Sequence, residues 1–206
     1  MPSSSALPDF QLADASTADQ IGDIIGTAFA DDPVSLWACG NARVIHRGFV
    51  ELGHELYVRH GMSWFVPGAG GTFWLPPGAS KETGLRFTAI MGQVILRHAG
   101  PRYAVRALQL DSCFQKNRPK TPHYYLFAVG VLPSARGRGL GKALIRHTLR
   151  EADERGFPTY LENSNPANTY LYQSLGFTPL PNISPAAGCP VVTPMWREPR
   201  SANPKE

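Results

Sequence analysis

The stretch Arg136-Gly137-Arg138-Gly139-Leu140-Gly141 decides how the chain around it folds. It follows the apolar run Tyr124–Val131 and opens a segment whose apolar residues recur at helical spacing. A strand, a glycine-rich turn and a helix in this order expose backbone N–H groups to phosphate oxygens. The glycines matter because a side chain at the turn would hold a phosphate away from the backbone. The sequence therefore predicts that a phosphate-bearing cofactor binds here.

The predicted cofactor-binding turn contains seven consecutive residues. They are Arg136, Gly137, Arg138, Gly139, Leu140, Gly141 and Lys142. Two arginines and a lysine supply formal positive charge, and the helix N-terminus adds partial positive charge. An anionic cofactor is the ligand that this combination favours.

The length and composition of the chain predict one globular domain. It has 206 residues, of which 43% are hydrophobic, and this is enough for a single core. We expect the domain to cover residues 10–197, with flexible segments at 1–9 and 198–206. Three cysteines without metal-binding spacing indicate a reduced, cytoplasmic protein.

Charge and hydropathy narrow the classes of partner. The net charge of +4 is mild, and no cluster of basic residues accompanies a nucleic-acid-reading motif. No run of about 18 uncharged apolar residues is present, so we expect no membrane span. His46, His54 and His60 share one predicted helix without a metal-binding pattern, and we expect no metal ion.

Periodicity in the first half of the chain predicts a short strand, several helices and a hairpin. The strand is expected at residues 10–12 and the hairpin at 62–66 and 72–75. The helical segments are expected at residues 16–29, 42–60 and 80–115, the last with an interruption at Gly100-Pro101.

The second half of the chain predicts a strand–helix–strand unit, a further helix and two closing strands. The first strand, residues 124–132, is apolar on both faces, which is typical of a covered mixed or parallel sheet. Regular alternation would place Tyr125, Phe127, Val129 and Val131 on one face and Leu126, Ala128 and Leu132 on the other. The helix is expected to end at Gly156, with strands at 159–161, 177–180 and 191–196 and a helix from Asn165 to Gly176.

Two motifs in this half resemble those of the GNAT N-acetyltransferases. The family's cofactor motif has Arg or Gln, two residues, Gly, one residue, and Gly or Ala, and Arg136, Gly139 and Gly141 fill these places. The stretch Asn168–Phe177 resembles the second motif, a tyrosine followed four residues later by Gly-Phe. The resemblance is specific over residues 124–178 and implies an α/β (α+β) fold with a mixed, strongly twisted and splayed sheet flanked by helices.

The resemblance also implies a cofactor and an activity. Acetyl-CoA would be the acetyl donor, and its pantetheine arm would pair with the strand end at Val129 and Val131. Tyr172 is the candidate general acid, because a phenol beside the sulfur can protonate the departing thiolate. Asn168, one helical turn earlier, is a candidate hydrogen-bond partner for the cofactor. Glu162-Asn163-Ser164 is also similar to the small-molecule and antibiotic acetyltransferase branch that includes puromycin N-acetyltransferase.

The acceptor must lose a proton before it attacks the donor. For an alkylammonium of pKa about 10 this costs about 4–5 kcal/mol at neutral pH, and for an α-amine of pKa about 8 only about 1 kcal/mol. Glu162 ends a strand at the predicted cleft and is the first candidate base, directly or through water. His123 is the second candidate, because histidine titrates in the required range.

The acceptor itself is left open by the sequence. A primary amine of a small molecule is the favoured class, and a protein N-terminus is the alternative. Aromatic residues could line its pocket or simply fill the core; they are Trp37, Trp64, Trp74, Phe65 and Phe73. A homodimer is one option for the assembly.

Two other functional classes compete with an acetyltransferase. A non-catalytic acetyl-CoA-binding or interaction module would keep the same turn. A dinucleotide-dependent oxidoreductase would need the spacing G-x-G-x-x-G, whereas this chain has G-x-G-x-G, with about 65 residues after it, too few for a six-stranded dinucleotide fold.

Overall fold

The structure, a computed structural model, describes residues 9–200 of the chain. The strands are β1 (Gln11–Leu12), β2 (Trp64–Val66), β3 (Gly70–Leu75), β4 (Tyr124–Val131), β5 (Thr159–Asn163), β6 (Thr178–Pro179) and β7 (Thr193–Arg197). The helices are α1 (Ala18–Ala28), α2 (Pro33–Cys39), α3 (Ala42–Leu52), α4 (Leu85–His98), α5 (Pro101–Asn117), α6 (Leu140–Glu154) and α7 (Thr169–Gln173). Apart from Asp9 and residues 198–200, the predicted flexible segments lie outside the described residues.

One seven-stranded sheet organises these elements. Its strand order is β1-β2-β3-β4-β5-β7-β6, and β4 with β5 is the parallel pair among antiparallel neighbours. Helix α6 connects these two strands, as a parallel crossover requires. The predicted fold class, a mixed sheet flanked by helices, is confirmed.

The parallel pair at the centre of the sheet separates after three residue pairs. Residues 124–126 of β4 pair with residues 159–161 of β5, whereas β4 runs on to Val131. Among residues 9–200, no strand pairs with β4 on that side beyond Leu126. The sheet therefore opens into a cleft whose wall is a free strand edge.

A β-bulge marks the point of separation. Phe73 of β3 lies opposite Ala128 and Trp74 lies opposite Leu126, so Phe127 is an extra residue in β4. The predicted alternation is therefore wrong beyond this point. Phe127 and Ala128 both pack with the α1–α3 core, and Val129 packs with Leu126 in the α6 core instead.

Two hydrophobic cores cover the two faces of the sheet. The α1–α3 core contains stacked aromatic rings, with Tyr57 lying 5.0 Å from Phe73 and 4.7 Å from Phe127 between centroids. The α6 core contains Ile145, Leu149 and other side chains of α6. Helix α1 lies so close to β4 that a Cβ on Gly130 would be 2.9 Å from the Ala28 Cβ. This contact places the C-terminal end of α1 beside the cleft.

Several predicted helix boundaries need correction. The segment 42–60 is α-helical only to Leu52 and continues as a π turn to Tyr57 and a 3-10 turn to His60. Residues 80–84 are not helical, because α4 begins at Leu85. The last predicted helix begins as a 3-10 turn, Pro166–Asn168, before α7.

Helix α2 was absent from the sequence prediction. The Asp32 side chain accepts a hydrogen bond from the Ser35 N–H at 2.8 Å, and Pro33 occupies the first helical position. Asp-Pro is a common helix start. The predicted helices at residues 16–29 and 42–60 leave this segment between them.

Candidate active site

A cleft of about 520 Å³ lies where β4 and β5 separate. Eleven of the twelve residues predicted for the site line it: Val129, Val131, Arg136, Gly137, Gly139, Leu140, Gly141, Lys142, Glu162, Asn168 and Tyr172. Residues from β4, β5, α6 and α7 thus meet in one place. Their individual roles stay predictions.

The glycine-rich turn presents bare backbone to this cleft. Gly137 and Gly139 have φ of +78° and +77°, a conformation that favours glycine. A Cβ at either position would meet no described atom within 4 Å, so packing does not explain these glycines. The residues fit a phosphate group that lies against the backbone.

The start of α6 leaves its N–H groups available. No side chain caps it, and the Ala143 N–H donates to the Gly139 carbonyl at 3.0 Å. The N–H groups of residues 140–142 come before this bond and lack helical acceptors. Since these three residues line the cleft, their amides are suited to anionic oxygens.

The two arginines of the turn are placed differently. The Arg136 Nε donates to the Val131 carbonyl at 3.1 Å, so this side chain also holds the end of β4. Arg138, the twelfth predicted residue, is exposed and does not line the cleft. It lies between two glycines of positive φ, and the structure does not bring it together with the others.

Tyr172 lies on α7 with its side chain almost entirely buried. It is 7% exposed and packs edge-on against Phe177 at 6.1 Å between ring centroids. Burial raises the pKa of Tyr172 well above its ordinary value, and the negative charge of Asp32 raises it further. The phenol is therefore protonated at neutral pH, as a proton donor must be.

Glu162 faces the cleft from β5, one residue beyond the last residue paired with β4. Its Oε1 is buried and has no hydrogen-bond partner among the described residues. Burial raises the pKa of Glu162, and the nearby positive charge of Lys81 opposes this shift. A carboxylate with a raised pKa is a stronger base than an exposed glutamate.

Asp32 joins the two walls of the cleft and was not among the predicted residues. While one of its oxygens caps α2, the other accepts a hydrogen bond from the Ser164 hydroxyl at 2.6 Å. Both residues line the cleft. The Asp-Pro pair could have indicated the cap, but a contact over 132 residues of sequence has no local signal.

The second candidate base and the candidate aromatic pocket lie elsewhere. His123 does not line the cleft; its Nδ1 lies 2.6 Å from the Thr121 carbonyl oxygen, and its ring packs edge-on against Tyr160. The five aromatic residues predicted for the acceptor also lie outside the cleft lining, and three of them, Trp74, Phe65 and Phe73, are fully buried core. The phenylalanines that line the cleft are instead Phe29 and Phe127.

Two further features concern metal ligands and membrane spans within residues 9–200. No group of three or more His, Cys, Asp or Glu side chains is arranged to hold a metal ion in this part of the chain. None of the helices described combines the length and apolar character needed to cross a bilayer.

Comparison with known proteins adds a family match. The model of the acetyltransferase (GNAT) family matches residues 73–177, just over half of the chain. A crystal structure of histone acetyltransferase HPA2 and related acetyltransferase from Corynebacterium glutamicum is similar with a TM-score of 0.66 and 25% identity. The similarity covers 96% of this chain and 99% of that one.

Two curated relatives match over shorter stretches. Mycothiol acetyltransferase of Thermomonospora curvata is 45% identical over 56 residues, 26% of this chain and 19% of that protein. The ribosomal protein bS18-alanine N-acetyltransferase of Escherichia coli K12 is 46% identical over 55 residues, 25% of this chain and 37% of that protein. The chain thus matches much less than two thirds of either relative.

Proposed function

The chain belongs to the acetyltransferase (GNAT) family, and on this basis we propose that it is an acetyl-CoA-dependent N-acetyltransferase that acts on a primary amine of a small molecule. The observation that carries the proposal is the continuity between two features of one cleft. The unpaired edge of β4 leads directly to the uncapped start of α6. A strand edge followed by free amides suits a ligand with an amide-bearing arm and a pyrophosphate.

In this proposal, acetyl-CoA supplies an acetyl group on a thioester. The amides of residues 140–142 bind its pyrophosphate, with Lys142 adding positive charge. The free edge at Val129 and Val131 pairs with its pantetheine arm, and Asn168 provides a further hydrogen bond. The thioester would then lie toward Glu162 and Tyr172, and this is supported by their position in the lining of the same cleft.

Glu162 and Tyr172 carry out the proton transfers that the reaction requires. Glu162 accepts a proton from the acceptor ammonium, directly or through water. The freed nitrogen forms a bond to the carbonyl carbon, and the bond from that carbon to sulfur breaks. Tyr172 gives its proton to the departing thiolate, which leaves as the free thiol. The resulting phenolate takes up the second proton of the attacking nitrogen, so a neutral amide forms, and Glu162 releases the first proton to water. A backbone N–H at the end of β4 would polarise the carbonyl, as in an oxyanion hole.

A screen of acceptors tests this function. Purified protein is incubated with acetyl-CoA and single amines, and thiol release and product mass are measured. We expect at least one small primary amine to gain an acetyl group. Acetylation of a peptide N-terminus alone would favour the protein-modifying alternative. Tight acetyl-CoA binding without transfer to any amine or peptide would favour the non-catalytic module.

Replacing Gly139 with leucine tests the cofactor site. The leucine side chain would stand where a phosphate must approach the backbone, so we expect the Kd for acetyl-CoA to rise about tenfold or more, roughly 1.4 kcal/mol or more. Isothermal titration calorimetry measures this change.

Gly156 offers a matched control at the other end of α6. It has φ of +70°, and a Cβ there would also meet no described atom within 4 Å. Gly156→Leu therefore introduces comparable backbone strain without obstructing the cleft, and its Kd should match that of the wild type. Equal Kd values for both variants would contradict the placement of the pyrophosphate.

A further inference from the structure

Arg118 carries two buried hydrogen-bond donors without acceptors. Its Nε and Nη2 are both inaccessible to solvent and have no partner among residues 9–200. The guanidinium lies over the ring of Tyr125, with its carbon 4.4 Å from the ring centroid. Nε–H and Nη2–H lie on one edge of the planar group, and such a pair matches the two oxygens of a carboxylate.

The buried charges around Tyr125 are unequal. Lys81 approaches the same ring, with its Nζ 5.4 Å from the centroid, and its side chain is 13% exposed. Its ion pair with Asp111 is long, at 3.9 Å, and the Asp111 side chain is half exposed. Glu162 is the buried carboxylate near both cations. Two partly buried cations therefore face one carboxylate with a buried oxygen, that of Glu162, while Asp111 lies half in solvent. An anionic ligand would complete the charge balance within the buried part.

Three phenol groups add to this excess of donors. The hydroxyls of Tyr57, Tyr125 and Tyr160 are buried and have no hydrogen-bond partner within the described part of the chain. Two of them, on Tyr125 and Tyr160, approach Glu162 without forming bonds of good geometry. The unpaired Oε1 of Glu162 is an acceptor close to these two hydroxyls. The Tyr57 hydroxyl stays a buried donor, and a ligand or water oxygen would satisfy it.

A groove of about 210 Å³ adjoins this cluster on the side away from the cofactor turn. Tyr125 and Arg118 line it, together with Lys120 and His123. No acidic residue is among its described lining residues. The groove is thus basic, and the Tyr125 side chain extends from it toward Glu162.

We propose that the acceptor is an amine that also carries a carboxylate, with Glu162 facing the amine and Arg118 receiving the carboxylate. This inference rests on the proposed function and names the acceptor class. A zwitterionic amino acid fits such a site because its two charges face opposite charges. The separation of its amine and carboxylate sets which amino acid fits best.

Matched acceptors test the proposal. Phenylalanine, lysine, 4-aminobutyrate and β-alanine are each compared with the amine that remains when the carboxylate is removed. For the best pair we expect the wild type to favour the carboxylated acceptor by about 10- to 100-fold in kcat/KM, the contribution expected of charged hydrogen bonds. Binding of each pair in the presence of CoA is also measured by calorimetry.

Substitutions then assign the preference to Arg118. In Arg118→Gln, the ratio of kcat/KM between the paired acceptors should decrease at least tenfold. The ratio in Arg118→Lys should lie between those of the wild type and Arg118→Gln, because lysine keeps the charge without the paired N–H groups. Lys116→Gln removes an exposed charge nearby on α5 and should leave the ratio unchanged.

The outcomes separate this inference from the proposed function. Equal kcat/KM and equal binding for all pairs would mean that water, and not an acceptor carboxylate, hydrogen-bonds to Arg118. This result would overturn the inference and leave the proposed acetyltransferase activity unaffected. A wild-type preference that survives in Arg118→Gln would also overturn it. Carboxylate-dependent binding without transfer would support the subsite and count against the proposed catalysis.

Discussion

Glu162→Gln is expected to lower kcat about 100-fold at neutral pH. Glutamine has nearly the same shape but cannot accept the proton of the acceptor ammonium, and a positioned general base contributes about 10²- to 10⁴-fold. The buried Oε1 of Glu162 has no described hydrogen-bond partner, so the substitution breaks no such bond at that atom. Steady-state assays of thiol release measure the loss, and circular dichroism confirms the fold.

The pH dependence of kcat gives a second readout of the same residue. Only the ionised carboxylate is a base, so kcat should fall as the pH is lowered through the pKa of Glu162. Burial raises that pKa, so the fall should occur above the ordinary range of glutamate. The acidic limb should disappear in Glu162→Gln.

Glu154→Gln is the control for this prediction. Glu154 is an exposed residue at the far end of α6, and its substitution should leave both kcat and the acidic limb unchanged. An acidic limb that persists unaltered in Glu162→Gln would assign the proton acceptor to another group.

Tyr172→Phe is expected to lower kcat about tenfold or more while acetyl-CoA binds as before. The variant keeps the ring that packs against Phe177 and removes only the hydroxyl that carries the acidic proton. The loss should depend on the leaving group, because a thiolate of lower pKa needs less protonation. Acetyl donors with more acidic thiols should therefore restore part of the rate.

Tyr170 provides the matched control on the same helix. It is 82% exposed, so Tyr170→Phe removes a hydroxyl without affecting the cleft and should retain wild-type kcat. A Tyr172→Phe variant with full kcat on every thioester would remove this phenol from the mechanism.

The parts of the fold that followed from the sequence are those with local causes. The glycines of the turn require positive φ, and the apolar strand before them requires cover on both faces, so β4, the turn and α6 could be placed from residues 124–154 alone. Glu162 and Tyr172 could be predicted as catalytic candidates from local patterns. Glu162 lies at the end of the strand that follows α6, and Tyr172 lies four residues before Gly176 in the second motif. The same local rules failed at the end of α3, where the chain continues through Gly53 in helical conformation as a π turn.

Other features depend on contacts between distant segments. The bulge at Phe127 arises from the register between β3 and β4, and period-two alternation within β4 cannot show it. Arg118 lies in a segment that reads as a basic, proline-bearing loop, and its contact with the Tyr125 ring depends on how the end of α5 packs against β4. Ser164 meets Asp32 only because α1 and β5 end on the same side of the sheet.

The extra residue in β4 has a consequence for how the protein tolerates change. Deleting Phe127 would bring Ala128 into its place and restore an even zigzag to the strand. The residues on either side of the deletion would keep their faces, because Leu126 and Val129 already pack in the α6 core and Ala128 in the α1–α3 core. The bend and the extra twist that a bulge adds would be lost at the point where β4 and β5 separate. A shortening by one amino acid would thereby straighten the strand edge that borders the cleft, and it would also remove the ring that stacks on Tyr57.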